Sequence, residues 1–366
     1  MRLAIIFLLF VLCGSAFGYE YNLPYDMKLT ASGYVGWRQI ISDVEYDSLK
    51  SEPEVGLATS LAITDRLIMF NQFKYGTSVD EVLVYNQLSY TPDIPISDFT
   101  VTFKGGRILH DTFLYNSTRI NPRTRQGVFQ PQAMAWDIFG RAITSGSGVG
   151  VDMKYKRFSA SYVIDKMTII DGDSEAQGWA NMPQAYDLKS KFGHNQIATL
   201  GYDLCEYGLR LKMWAEKEDF TMRIANEPTR ISLGGSHLGA GIEWKYNDFV
   251  ASFETMATKR KVASWSKWDT IYFATSATLE YDLTENWTIR ANYNQYRTPK
   301  DIGPQVSRYS QDMNVGVNWH YKNYMIGAQL NYIQGGRLVD PHAVYKNPDD
   351  YDHFLVGGIN AVYFFE

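Results

Sequence analysis

Cysteine is nearly absent from the sequence: there are two in 366 residues, and one of them, Cys13, lies in the N-terminal leader described below. A single remaining Cys205 cannot close an internal bridge, so the fold does not rest on a covalent framework. Cys205 reads instead as a small apolar filler near a turn. Long apolar runs are equally scarce. Leu3 to Leu12 is a run of ten, about half of what a membrane-spanning helix needs, and no later stretch comes near a full span. Strong net charge is missing too: a balance of -5 does not suggest nucleic acid or any other strongly charged partner. Catalytic signatures are also lacking. His110, His194, His237, His320, His342 and His353 are scattered, and neither a His-Glu-x-x-His zinc motif nor a Gly-x-Ser-x-Gly elbow occurs, so an enzyme is not expected. The run DGDSE at 171 to 175 lacks the glycine and terminal glutamate of a calcium loop and reads as a solvated outer loop, so no metal or other cofactor is expected.

What is present is a leader followed by alternation. Arg2, the apolar run and a small-residue stretch ending at Gly18 form a secretory signal peptide over residues 1–18, leaving 19–366 as one mature domain. From Lys28 onward apolar and polar residues alternate with period two, the signature of strands. In KLTASGYVGWRQI, Leu29, Ala31, Gly33, Val35 and Trp37 share one face and Lys28, Thr30, Ser32, Tyr34 and Arg38 the other. The pattern recurs to FLVGGINAVYFF at the end of the chain and counts to sixteen strands, most about ten residues long, the length a tilted strand needs to cross a bilayer. In a membrane such strands must close into a barrel, because an open edge cannot be satisfied there.

The connectors alternate in length. Thr64-Asp65, Lys156-Arg157, the neighbourhood of Glu206, Asn247-Asp248, Asp282 to Asn286 and Lys322-Asn323 are short turns. Between them come the longer, more polar stretches 42–54, 107–146, 167–194, 217–236, 258–269, 297–308 and 334–350, while 76–80 and 91–98 blur the rule. All prolines, Pro53 included, are expected in connectors or before the first strand, as suits a sheet without edges. Trp244, Tyr246, Tyr281, Trp287, Trp319, Tyr321, Tyr324, Tyr363 and Phe365 sit beside short turns, as an aromatic girdle at one membrane interface would.

On these features the chain resembles a Gram-negative outer-membrane porin: sixteen strands, short turns alternating with long loops, and a last strand in which Phe365, Tyr363, Ala361, Ile359, Gly357 and Leu355 keep the spacing of the family's final strand, with Glu366 as one residue beyond it. The resemblance implies an all-β, antiparallel, up-and-down transmembrane β-barrel in the outer membrane. It implies a water-filled channel for passive diffusion of small hydrophilic solutes, a homo-oligomer, in this family a trimer, and contact with outer-membrane lipid and lipopolysaccharide. It also implies that the third long loop, here 107–146, folds into the barrel and narrows it. The acidic loop motif of general porins is missing there, which points to the substrate-selective kind.

Charge in that loop gives the expectation its chemistry. Residues 107 to 141 hold Arg107, Arg119, Arg123, Arg125 and Arg141 against Asp111 and Asp137, a formal +3 that favours small anions at a constriction. The inward strand faces are nearly balanced: Lys28, Arg38, Lys104, Lys154, Arg210, Lys212, Lys245 and Arg290 against Asp152, Asp165, Glu216, Glu243, Glu254, Glu280 and Asp282. Two other readings stay open. The loop arginines bind lipopolysaccharide phosphates or acidic neighbours at the surface, or the chain is a receptor or adhesin selected for its outer loops.

Overall fold

A computed structural model describes residues 20–24, 27–42, 49–76, 83–110, 112, 114, 145–167, 189–223, 230–262, 270–297, 309–334 and 353–365. The signal peptide expected over 1–18 lies outside these residues, as do Arg119, Arg123, Arg125 and Arg141.

The described chain is almost entirely strand. A short β1, Glu20–Asn22, precedes β2 (Lys28–Ser42), β3 (Leu49–Thr64), β4 (Leu67–Gly76), β5 (Leu83–Tyr90) and β6 (Phe99–Leu109). Then come β7 (Ser145–Tyr155), β8 (Phe158–Met167), β9 (Lys189–Leu204), β10 (Leu209–Arg223), β11 (Arg230–Tyr246) and β12 (Phe249–Val262). The series ends with β13 (Thr270–Thr284), β14 (Trp287–Arg297), β15 (Tyr309–Tyr321), β16 (Tyr324–Gln334) and β17 (His353–Phe365). Each strand pairs antiparallel with its neighbours in sequence, and β17 returns to β2 with Phe365 opposite Gly33 and Val356 opposite Ser42. The sixteen strands β2 to β17 therefore form a closed ring. Each of the sixteen expected strands overlaps one of them, eight starting one or two residues early in the preceding turn or loop. At the closing seam the pairing with β17 reaches only Gly33 while β2 starts at Lys28, which leaves that piece of the β2 edge open. β1 covers it, pairing Glu20 to Asn22 with Thr30 to Lys28.

Period two sorts side chains as a barrel in lipid requires. One face carries Trp37, Leu57, Phe103, Val149, Tyr162, Ile164, Leu200, Met213, Leu238, Phe253, Phe273, Leu279, Val315, Leu330 and Ile359, all exposed. On a soluble protein so continuous an apolar surface would drive association, and here it is the band that meets acyl chains. The other face carries Asp165, Asn195, Thr199, Glu216, Glu254, Thr258, Asn292, Asn294, Asp312, Asn314, Gln329 and Asn331, all buried. That face looks into the ring.

At the short-turn end the chain reverses tightly, with Lys156, Asn247 and Lys322 taking positive φ of 53°, 49° and 52°. The girdle residues Trp244, Tyr246, Tyr281, Trp287, Tyr321 and Tyr324 are exposed there, with Trp319 and Tyr321 stacked at 5.9 Å and Tyr324 against Tyr363 at 5.0 Å. Phe365 departs from the expectation: it is buried over Gly33, where a side chain on the glycine would strike its ring.

The sixteen ring strands run 8 to 17 residues, so several outlast the bilayer. β10 and β11 pair to Arg223 and Arg230, deep into the stretch 217–236 expected as a loop, and β3 starts at Leu49, inside 42–54. Above the membrane the ladder hydrogen bonds persist while the apolar alternation fades, and the sequence signal ends early. Pro53 is corrected by the same extension: it lies in β3, opposite Trp37. The ladder from β4 onto β3 begins only at Glu54, so among the described residues the other edge of β3 is unpaired at Pro53. A proline nitrogen without a hydrogen is tolerated at such an edge.

Candidate functional site

The inner wall is the candidate site, and the register decides which side chains reach it. Lys28, Arg38, Lys104, Lys154, Arg210, Lys212 and Arg290 all fall on the inward parity, as do the seven carboxylates set against them. Several cations are matched across strands. Lys104 on β6 is ion-paired with Asp152 on β7, Arg210 on β10 with Glu243 on β11 at 2.7 Å, and Arg290 on β14 with Glu280 on β13 at 3.1 Å. Such pairs hold little net field over the lumen, since each positive charge is cancelled within one ladder step. Lys212 is buried among the inward residues of β10, whereas Lys28 and Lys154 stand exposed toward the short-turn end.

Arg107 departs from the grouping with the loop arginines. It is a residue of β6, opposite Asn86 and Ser147, and it comes one position before Ile108. Ile108 is buried with Val163 and Ile197 on the inner side. Alternation therefore turns Arg107 to the outer face.

Between β6 and β7 three residues are described, 110, 112 and 114. His110, Thr112 and Leu114 are buried, and His110 Nε2 meets Asp165 Oδ2 on β8 in a contact with almost no solvent exposure. The Leu114 backbone N–H donates to Glu254 Oε1 on β12, and the Leu114 side chain lies against Gly241 on β11. In ring order β12 stands six strands from β6. Leu114 is five residues past Leu109, so this short span has left its own strand and reached a distant part of the wall. Sequence reasoning gave no sign of the His110 and Glu254 contacts, because nothing local marks two residues 55 or 140 positions apart as neighbours.

Two rings lie flat on the wall where a glycine faces them. A Cβ on Gly239 would collide with the Trp214 ring and one on Gly56 with the Tyr34 ring, so the missing side chains keep both aromatics out of the lumen. Trp214 also stacks on His237, at 6.5 Å between ring centres.

A third group was missed because attention to charge passes over amides. β13 to β17 turn Thr278, Asn292, Asn294, Asn314, Gln329, Asn331 and Asn360 inward, with Asp312 among them. Asn331 Nδ2 donates to both Asp312 oxygens at 3.2 and 3.3 Å, and Asn294 Nδ2 to Asp312 Oδ2 at 3.5 Å. Asn314 Nδ2 donates to Asn292 Oδ1 at 3.3 Å, Asn292 Nδ2 to Thr278 Oγ1 at 2.5 Å, and Gln329 Nε2 to Asn331 Oδ1 at 2.7 Å. The pairing of NxN and QxN at period two is the signal that sequence carried. Among the described residues, no group of three or more His, Cys, Asp and Glu could hold a metal ion.

No protein-family model and no curated protein sequence matches the chain. Solved structures do share its fold. OmpT of Vibrio cholerae, an outer membrane protein in a trimer form, is 11% identical with a TM-score of 0.63, over 92% of this chain and 99% of that one. An anion-selective porin from Comamonas acidovorans is 10% identical at 0.64, over 92% and 100%. The outer membrane channel DcaP of Acinetobacter baumannii is 10% identical at 0.60, over 95% and 100%.

Proposed function

We propose, starting from the outer-membrane porin fold, that this protein is a water-filled channel for passive diffusion of small hydrophilic solutes, without catalytic activity. The closed ring of sixteen strands with a polar inner face carries this reading. A barrel of that size leaves an aqueous path, whereas eight strands are filled by their own side chains. The chain lies in the outer membrane of a Gram-negative cell, with its apolar band in lipid and its short turns toward the periplasm.

The narrowest part of the path is formed by the 107–146 loop folded into the ring. The burial of His110, Thr112 and Leu114 and their contacts to Asp165 and Glu254 support that course. Three of the wall cations, Lys104, Arg210 and Arg290, are matched by Asp152, Glu243 and Glu280, so selectivity rests on Arg119, Arg123, Arg125 and Arg141 of the loop, and the preference is for small anions. Arg107, turned to the outer face, takes no part. The similarity to an anion-selective porin accords with this. Toward the long-loop end, Lys217, Lys259 and Arg297 are exposed on the outer face, at a height suited to lipopolysaccharide phosphates. The channel assembles as a homo-oligomer, the trimer form of the OmpT relative being the pattern.

The test is the zero-current potential of single channels in a salt gradient, for the parent and for Arg123→Ala with Arg125→Ala. Anion preference in the parent that falls in the double variant supports the loop as the selective element. Cation preference in the parent, or an unchanged potential, removes that role and leaves the channel itself standing.

A further inference from the structure

The amide strip on β13 to β17 lies across the ring from β8, where the chain after β6 is held, and its chemistry differs from that of the rest of the wall. Four rows cross the strands in register. Ser276, Asn294 and Asp312 form the first, and Thr278, Asn292, Asn314 and Asn331 the second. Next below, Gly316, Gln329 and Gly358 continue the line of the paired Arg290, and one row further Asn318, Gly327 and Asn360 stand side by side. Glycine and amide thus alternate across neighbouring strands. A carboxamide presents donors and an acceptor together, a combination matched by hydroxyl groups. An anion needs donors only, and a cation acceptors only.

The strip's own bonds fix which way its amides face. Asp312 takes the Nδ2 groups of Asn294 and Asn331, so Asn294 Oδ1 is turned from the carboxyl, and it is buried with no hydrogen-bond partner among the described residues. Asn360 Oδ1 is in the same state. Its oxygen and that of Asn318 both lie within 2.6 Å of the point where a side chain on Gly327 would begin, so two amide oxygens converge over one glycine. A buried acceptor left without a donor costs about 1–3 kcal/mol, which a small rotation of these amides toward the O–H groups of a solute lying on the strip would recover.

We propose that this strip is a binding site for neutral polyhydroxylated solutes, saccharides above all, with Asn318 and Asn360 accepting from neighbouring hydroxyls over Gly327 and Asn294 accepting from a third. The proposal rests on the channel reading and adds to it a solute class that the loop arginines do not select. Binding on a wall patch raises the local concentration of the solute without closing the path, as conduction demands of a site that must also release.

Single channels in a planar bilayer give the test, with maltohexaose as the saccharide and a polyethylene glycol of equal mass as a polymer without hydroxyls along its chain. The expected result is a concentration-dependent interruption of the salt current by maltohexaose at concentrations where the glycol has no effect. Gly327→Ala, which occupies the point between the two oxygens, and Asn360→Leu should each weaken the interruption about tenfold while salt conductance stays at the parent's level. Two variants guard against one failing to fold, and the comparison of the two polymers in the parent needs neither. Channels that conduct salt but are not interrupted by maltohexaose, or are interrupted equally by both polymers, overturn the site and leave the channel. Unchanged interruption in conducting variants overturns the site as well. A parent that conducts nothing overturns the channel reading instead.

Discussion

Replacing Glu254 by alanine removes the acceptor that holds the Leu114 backbone on the far wall. Glu254 is 4% exposed, and its partner is a buried N–H, so this hydrogen bond to a carboxyl oxygen lies away from water. Leaving a buried N–H unsatisfied costs about 1–3 kcal/mol, which corresponds to a change of about 5- to 150-fold in the ratio of held to released forms. Release is limited by the contact between His110 and Asp165, which still ties the chain to β8. The expectation is therefore a partial effect: Glu254→Ala channels open to the same maximum but spend more time at higher conductance, with added current noise. Glu254→Gln keeps an oxygen acceptor without charge and should fall between parent and alanine. His110→Ala combined with Glu254→Ala removes both ties and should exceed the sum of the single changes. Single-channel recording at constant salt reads all four proteins. Parent-like conductance and noise in Glu254→Ala and in the double variant would refute the view that these contacts hold the narrowing segment in place.

Cys205 supplies a topology test. It is exposed in the turn between β9 and β10, at the end assigned to the periplasm. A membrane-impermeant maleimide too large for the channel should leave it unlabelled in intact cells and label it after the outer membrane is opened; labelling in intact cells would invert the orientation. The Asp203 carboxylate, accepting the thiol hydrogen at 3.2 Å, holds the Cys205 thiol above its ordinary range. The thiolate fraction at neutral pH is thereby lowered, so Asp203→Asn should speed alkylation most below pH 8, and an unchanged rate profile would contradict the coupling. Gly239→Val should lift Trp214 from the wall and lower conductance, at a cost of about 1–3 kcal/mol in resistance to unfolding. Unaltered conductance in that variant would mean that the ring does not border the path.

The barrel was legible because a bilayer imposes period two on the strands it contains, and a segment such as NYMIGAQLNYI obeys it. Beyond the membrane that pressure ends. The extension of β10 through KEDFTMR and the placing of Pro53 within β3 depend on ladder hydrogen bonds, which leave no mark on hydropathy. The inner wall was half legible. Parity fixed which charged residues turn inward, but the face of Arg107 depended on where β6 ends, and the alternation alone had put it in the loop. The tie between Leu114 and Glu254 spans 140 positions and follows only from closure of the ring. Asn292 and Asn294, Asn314, and Gln329 and Asn331 were in plain view at period two. Their meaning came from register, which set them side by side around Asp312.

Electrical recording after insertion of the purified protein into a planar bilayer tests the central claim most directly. A wide barrel with a polar lumen predicts discrete, uniform current steps that scale with salt concentration and stay open at low voltage. A correctly folded barrel, shown by different gel migration before and after boiling, that inserts without any such steps would contradict the account.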